Sequence, residues 1–228
     1  MKDCSPFSNK IIFSLCLTVI SCIYLLPANS FAFDDRDFQL WNTKKVEVKI
    51  NDSFKFKGEQ EFRFGDDATD FYYNHTDVGF IYALNRYVSA ELYFRHIYKK
   101  SHSEWKKEER PHIDATFKAV WQGFKFSDRP RFEYRIREDA SDNWRFRNKI
   151  TVKMPWKFTE WNINPYIADE IFVDLQDSKF TINRLYIGSG MHIIGSLYGD
   201  VYYLWQTEDK GSFWQDYYIL GFKLGLKL

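Results

Sequence analysis

Apolar and charged residues alternate along this chain with a period of two. From Phe54 to Phe64 the even positions carry Phe54, Phe56, Gly58, Gln60, Phe62 and Phe64, while the odd positions carry Lys55, Lys57, Glu59, Glu61 and Arg63. A β-strand turns successive side chains to opposite faces, so this alternation predicts a strand with one apolar and one charged face. The pattern returns where Ile113, Ala115, Phe117, Ala119 and Trp121 alternate with His112, Asp114, Thr116 and Lys118. It returns again around Phe132–Ile136, Trp144–Val152 and Tyr218–Leu228. No segment of comparable length has the 3.6-residue period of an amphipathic helix.

Eleven such runs are legible, at about 38–50, 54–64, 72–84, 87–98, 110–121, 124–137, 143–154, 160–173, 181–193, 198–207 and 214–228. Between them, Asn51-Asp52-Ser53, Asn85-Arg86, Gln122-Gly123, Pro155-Trp156-Lys157 and Gly195-Ser196 predict tight turns. The stretches Gly65–Asp70, Lys99–Glu109, Glu138–Asp142, Asp174–Lys179 and Glu208–Ser212 predict longer loops. Short turns alternating with longer loops predict a barrel whose two rims differ.

A soluble barrel would bury the apolar face, and a transmembrane barrel would turn it toward lipid. Runs of about 10 to 14 residues suit the second, because a spanning strand needs about 9–11. Aromatics near run ends (Trp41, Tyr72, Tyr73, Trp121, Trp144, Trp156, Trp161, Trp205, Trp214) suit interfacial girdles. The final alternating run is expected to close the barrel. The fold class expected is all-β: an antiparallel transmembrane β-barrel. Bacterial single-chain barrels have even strand numbers. A split near Asn42-Thr43-Lys44-Lys45 would raise eleven to twelve, and the loss of one run would give ten.

Composition sharpens this picture. Aromatics make up 20% of the chain, which excludes intrinsic disorder. The mean hydropathy of −0.47 excludes a bundle of membrane-spanning helices. With 32 Lys+Arg against 31 Asp+Glu the chain lacks the basic excess of a nucleic-acid binder, so no nucleic acid is expected as a partner. Lys2 and Lys10, then the apolar run Ile11–Leu26, then Ser30-Phe31-Ala32 describe a secretory signal peptide over residues 1–32, cleaved before Phe33. Residues 33–228 would then form a single barrel domain. Cys4, Cys16 and Cys22 all fall in the signal, so the mature chain offers no disulfide or thiolate metal site.

Several stretches carry a resemblance. They include Asp37-Phe38-Gln39-Leu40-Trp41-Asn42, Tyr72-Tyr73-Asn74-His75-Thr76-Asp77-Val78-Gly79, Asp128-Arg129-Pro130-Arg131-Phe132-Glu133-Tyr134-Arg135 and Pro165-Tyr166-Ile167-Ala168-Asp169-Glu170. Together with Asn143–Lys149 and Asn183-Arg184-Leu185-Tyr186, they resemble the secreted bacterial family DUF2490 over essentially the whole mature chain. The resemblance implies a Gram-negative envelope protein with an outer-membrane-like barrel, and it implies no activity. In architecture alone the chain is also similar to small oligogalacturonate-type porins.

The densest chemistry lies in one hairpin. Arg129, Arg131, Arg135, Arg137, Arg145, Arg147, Lys149 and Lys153 share one parity, against only Glu133 in the same row, with Glu138, Asp139 and Asp142 in the loop. If that parity is lumenal, two strands present a cationic wall suited to carboxylates or phosphates, with Arg184 beyond it. The alternative is a structural ladder in which Glu59, Glu61, Glu91 and Glu170 on facing strands neutralise the arginines. His75 with Asp77, and His112 with Asp114, could ligate a metal or form a base–orienter couple, but no serine stands in a nucleophile motif. Asp169-Glu170 could meet a cation at a rim, and His102 is expected in solvent.

Three readings stay open: a channel or binding barrel for a small anionic solute, a plugged structural barrel, and a barrel lipid hydrolase. Catalysis, metals and cofactors are not expected. The partners expected are outer-membrane lipid, the outer-membrane assembly machinery and a small anionic solute.

Overall fold

The computed structural model describes residues 34–228 apart from 102, 103 and 139. The signal segment with its cysteines, His102 and Asp139 lie outside the described residues.

Eleven strands close into one barrel. They are β1 (Asp37–Lys49), β2 (Phe54–Gly65), β3 (Asp70–Ala83), β4 (Val88–Ser101), β5 (Glu104–Trp121), β6 (Phe124–Arg137), β7 (Asn143–Lys153), β8 (Asn164–Asp174), β9 (Lys179–Ile194), β10 (Leu197–Asp209) and β11 (Trp214–Lys227). Each alternating run became one strand. β1 is unbroken through Asn42–Lys45, so the split into twelve does not occur. The odd number fixes how the barrel closes. Sequential neighbours are antiparallel, but β1 and β11 run the same way and pair in parallel, from Asp37 opposite Tyr217 to Glu47 opposite Lys227. An odd count is also found in a mitochondrial barrel. We call the end where β1 begins the N rim and the end where β11 finishes the C rim.

The two rims do not divide into short turns and long loops. The Lys99–Glu109 stretch is mostly strand: Lys99, Lys100 and Ser101 pair with Lys106, Trp105 and Glu104, lengthening the β4–β5 hairpin at the N rim. Its lysines and glutamates pair along β5, as in the Lys106–Glu104 and Lys107–Glu109 pairs, both at 2.6 Å. The expected tight turn at Pro155–Lys157 is instead the longest connection, 154–163, at the C rim. Thr159 and Asn162 adopt φ of 64° and 50°, which ends any strand there, and Phe158 bridges Ile163. Other C-rim turns follow their chemistry. Gln122 and Gly123 both take positive φ, as a two-residue hairpin requires. The Asn51 and Asn85 side chains accept hydrogen bonds from backbone amides two and three residues on.

The barrel is inverted relative to a soluble one. Among the described residues, twenty-two buried side chains are polar or charged and thirteen are apolar or aromatic. Large apolar side chains such as Leu92, Ile113, Phe132, Ile150, Ile187 and Leu224 are exposed on the outside. Phe132, Tyr134, Phe146, Leu220 and Leu224 alternate outward against inward Arg131, Glu133, Arg145, Arg147 and Ile219. The outer face also carries polar residues at mid-strand, and these pair across strands. Thr76 Oγ1 donates to Gln60 Oε1 at 2.5 Å, and Asn183 Nδ2 donates to Asp169 Oδ1 at 2.8 Å.

Candidate functional site

Period-two alternation aims one parity of every strand into the lumen. The lumen is then shared between two kinds of wall. On β1 and β8–β11 it is largely aromatic and aliphatic, with Trp41, Tyr166, Tyr186, Tyr202, Leu204, Tyr217 and Ile219 packed together. On β2–β7 it is mainly ionic, with a smaller cluster of Tyr72, Tyr73 and Ile97. Between them lies a cavity of about 400 Å³, lined from Asp209 and Lys210 at the N rim down to Lys57 and Lys223 near the C rim.

The ionic wall is organised around Glu133, which is fully buried. Its Oε1 accepts from Arg145 and lies 3.8 Å from Arg110 Nη1, while Oε2 lies 3.3 Å from Arg147 Nη1 and 4.0 Å from Arg131 Nη1. Neighbouring acids extend the network. Asp114 accepts from Arg131 at 2.8 Å, Glu170 from Arg147 at 2.7 Å, and Asp77 from Arg95 at 2.6 Å. Arg135 forks onto Glu108 at 2.7 and 3.2 Å. Charge-assisted pairs of this length are the strong class of hydrogen bond, so Arg131, Arg145 and Arg147 are held as a ladder.

The hairpin expected to form one cationic wall therefore divides. Arg131, Arg145 and Arg147 reach the cavity wall but are nearly buried and tightly paired. Arg129 and Lys149 line the cavity with far looser compensation: Arg129 lies 3.8 Å from Asp114 and 3.9 Å from Glu170. Arg137 is not in the lumen. It sits at the N rim, where its Nε donates to the Ser141 carbonyl at 2.9 Å, because the strand ends there and the loop folds back. Lys153 reaches a separate C-rim hollow. Arg184, from β9, lies 5.0 Å over the Trp41 ring and donates to Gln206 at 2.7 Å. Of the acids expected to neutralise the hairpin, only Glu170 does so. Glu59 pairs with Lys45, Glu61 with Arg63, and Glu91 accepts from Tyr93 and Thr116.

The two His–Asp pairs meet in one chain of contacts. His112 Nδ1 lies 2.8 Å from Asp114 Oδ1 and its Nε2 lies 3.3 Å from Asp77 Oδ1. His75 Nε2 lies 3.3 Å from Glu59 Oε1. Both imidazoles are sealed, with side-chain exposures of 1% for His75 and 0% for His112. Their polar contacts run to carboxylates, so no nucleophile–base couple is formed by them. Glu59, His75 and Asp77 place ligand-capable atoms within 4.8 Å of one another, the spacing of a metal centre. Here, however, Lys45 engages Glu59 at 2.9 Å and Arg95 engages Asp77 at 2.6 Å, so cations already occupy both carboxylates. Asp169 points outward, away from Glu170, and the two form no common site.

Counted over the cavity wall, fifteen lysines and arginines stand against eight aspartates and glutamates. Asp37, Glu91, Asp114 and Glu133, buried inward but off that lining, raise the acids to twelve. Much of the remaining acid lies at the rims, in Asp52, Asp66, Asp67, Glu138, Glu160 and Asp177. Sequence reasoning missed Lys45, Lys57 and Lys223 as members of this lining. Their inward parity was legible, but β11 meets β1 and β2 only through the parallel seam.

No curated protein matches the chain significantly. The profile of the family described as "Protein of unknown function (DUF2490)" matches residues 38–217, from the first turn-in of β1 into β11. The barrel and its charged lumen are thus features of a chain that belongs to the DUF2490 family.

Proposed function

We propose that the protein is an outer-membrane barrel whose narrow lumen binds and passes small anionic solutes. Strands of 11 to 18 residues reach or exceed the roughly 9–11 needed to cross a bilayer with tilt. Apolar side chains cover the outside, and outward aromatics flank both ends: Phe71, Trp105, Trp144 and Trp214 at the N rim, Phe54, Tyr82 and Trp121 at the C rim. The observation that carries the solute assignment is the cation excess on the cavity wall. In a water-filled lumen with low-dielectric walls, that excess concentrates anions and repels cations.

A plugged barrel is the second reading, favoured by the Glu133 network that fills one side of the lumen. A lipid hydrolase has no support from the sealed histidines. The test begins with fractionation: the mature chain should partition with the outer membrane, and recovery from the periplasm without detergent would refute the assignment. Purified protein in liposomes should then release a trapped small anion faster than a cation of equal size. No release would favour the plugged barrel, and equal rates would refute the anion preference.

A further inference from the structure

Five cations sit at one level of the lumen, about four residues from the C rim. Lys45 on β1, Lys57 on β2, Arg129 on β6, Lys149 on β7 and Lys223 on β11 all line the cavity. Each lies within electrostatic range of at least one other. They differ from the arginine ladder in two respects. Their side chains are reachable, with exposures of 22% for Lys45, 19% for Lys57, 29% for Arg129 and 22% for Lys223, against 5–8% for Arg131, Arg145 and Arg147.

They are also poorly compensated. Lys45–Glu59 at 2.9 Å is the only close pair among them. Lys57 reaches the same Glu59 at 4.0 Å, Lys223 reaches Asp200 at 3.9 Å, and Lys149 makes no ion pair among the described residues. The same barrel shows, a few residues deeper, how it pairs a cation it means to neutralise: Arg131–Asp114 at 2.8 Å and Arg147–Glu170 at 2.7 Å.

The ammonium groups are nonetheless held in place by tyrosine rings. Lys149 Nζ lies 3.4 Å over the Tyr186 ring, Lys223 Nζ 4.3 Å over Tyr202, and Lys57 Nζ 5.1 Å over Tyr93. Two of these rings lie flat because glycines make room for them. A Cβ on Gly221 would stand 2.0 Å from Tyr202 Cζ, and one on Gly79 would stand 2.2 Å from Tyr93 Cδ1. Cation–π contact fixes an ammonium without cancelling its charge. Beyond this belt, the C-rim hollow of about 620 Å³ is lined by Arg86, Lys118, Lys125 and Lys153, with no acid in its wall.

We infer that the C-rim half of the lumen is a binding site for a multivalent oxyanion, one carrying two or more phosphate or carboxylate groups, held by Lys45, Lys57, Arg129, Lys149 and Lys223. Cations gathered in a low-dielectric space repel one another unless an anion joins them, and one small anion cannot reach five centres. Lysine offers three donors around a point charge and adapts to either oxyanion. The basic C-rim mouth draws such a solute in from that side. The inference rests on the anionic-solute reading above and names its class and place.

The test is a titration of the full-length mature barrel, refolded in detergent, with inorganic tripolyphosphate in one arm and citrate in the other, by calorimetry. At least one should bind saturably, and comparison of the arms separates phosphate from carboxylate chemistry. Lys149→Gln with Lys223→Gln should weaken binding about 100-fold, since each removed charge-assisted contact is worth roughly tenfold or more. The outward Lys44→Gln should bind as the parent does. Should the double variant fail to fold, the parent alone decides: its affinity must fall steeply between 0.1 and 1 M salt. No saturable binding of either probe, binding unchanged in the double variant, or salt-independent affinity would overturn the site. A barrel that passes anions but binds neither probe keeps the channel reading and loses this one. A barrel that binds tripolyphosphate without anion release does the reverse.

Discussion

Replacing Glu133 with Ala should unfold the ionic wall from its centre. At an effective dielectric of about 20, the contacts at 3.3, 3.8 and 4.0 Å to Arg147, Arg110 and Arg131 are worth about 5, 4 and 4 kcal/mol gross. Desolvation of every partner, and repulsion among the guanidinium groups, cancels most of that sum. What remains depends on who is left stranded. Arg131 keeps Asp114, Arg147 keeps Glu170 and Arg110 keeps Glu108, but Arg145 has Glu133 as its sole ion-pair partner among the described residues. One buried, uncompensated guanidinium corresponds to a loss of about 3–5 kcal/mol. That is a large share of a typical stability of about 5–15 kcal/mol. Urea titration of the barrel refolded into phospholipid vesicles, followed by tryptophan fluorescence, reads this loss as a shift in midpoint. Adding Arg145→Met to Glu133→Ala should recover most of it, because the stranded charge is gone. A loss under about 1 kcal/mol, as for an exposed pair, or no recovery in the double variant, would refute the ladder.

Leu224→Arg places a cation on the outer face and should cost roughly 2–4 kcal/mol near a bilayer midplane, crippling assembly in the same vesicles. Arg135→Leu should be tolerated better, since Glu108 keeps Arg110 at 2.8 Å; the reverse order would mean a soluble barrel. Gly221→Val drives its side chain into Tyr202 and should cost about 1–3 kcal/mol by overpacking, and the cost should shrink when Tyr202 is also made Ala. Replacing Arg129 and Lys149 by Gln should reduce anion preference with little change in the urea midpoint, whereas Arg145→Gln should lower the midpoint; equal effects on both properties would erase the distinction between reachable and sealed cations.

The strands were legible because period-two alternation reports a sheet surface directly, and the runs at 54–64, 124–137 and 143–154 match β2, β6 and β7 closely. Which parity is apolar and turns outward was legible from the same alternation. The barrel's closure was not. Nothing in the local pattern of β1 marks it as pairing in parallel with β11, and the general preference for even counts pointed to a split that Asn42–Lys45 does not make. Polar Lys99–Glu109 looked like a loop because charge-rich sequence and a charge-paired hairpin have the same composition. In the site, the arginine row was visible, but Glu133 looked like a lone acid among many cations. Its weight comes from Arg110 on β5 and Arg147 on β7, brought to it by register. The lysine belt draws on five strands and became visible only once they were assembled.

The central claim is that the lumen passes anions in preference to cations. The most direct measurement is the reversal potential of the refolded barrel in a planar lipid bilayer under a gradient of potassium chloride. The cation excess on the cavity wall predicts a potential displaced toward that of chloride, with the displacement shrinking between about 0.1 and 1 M salt as the Debye length falls from about 10 to 3 Å. A potential displaced toward potassium, or an electrically silent barrel, would contradict the account.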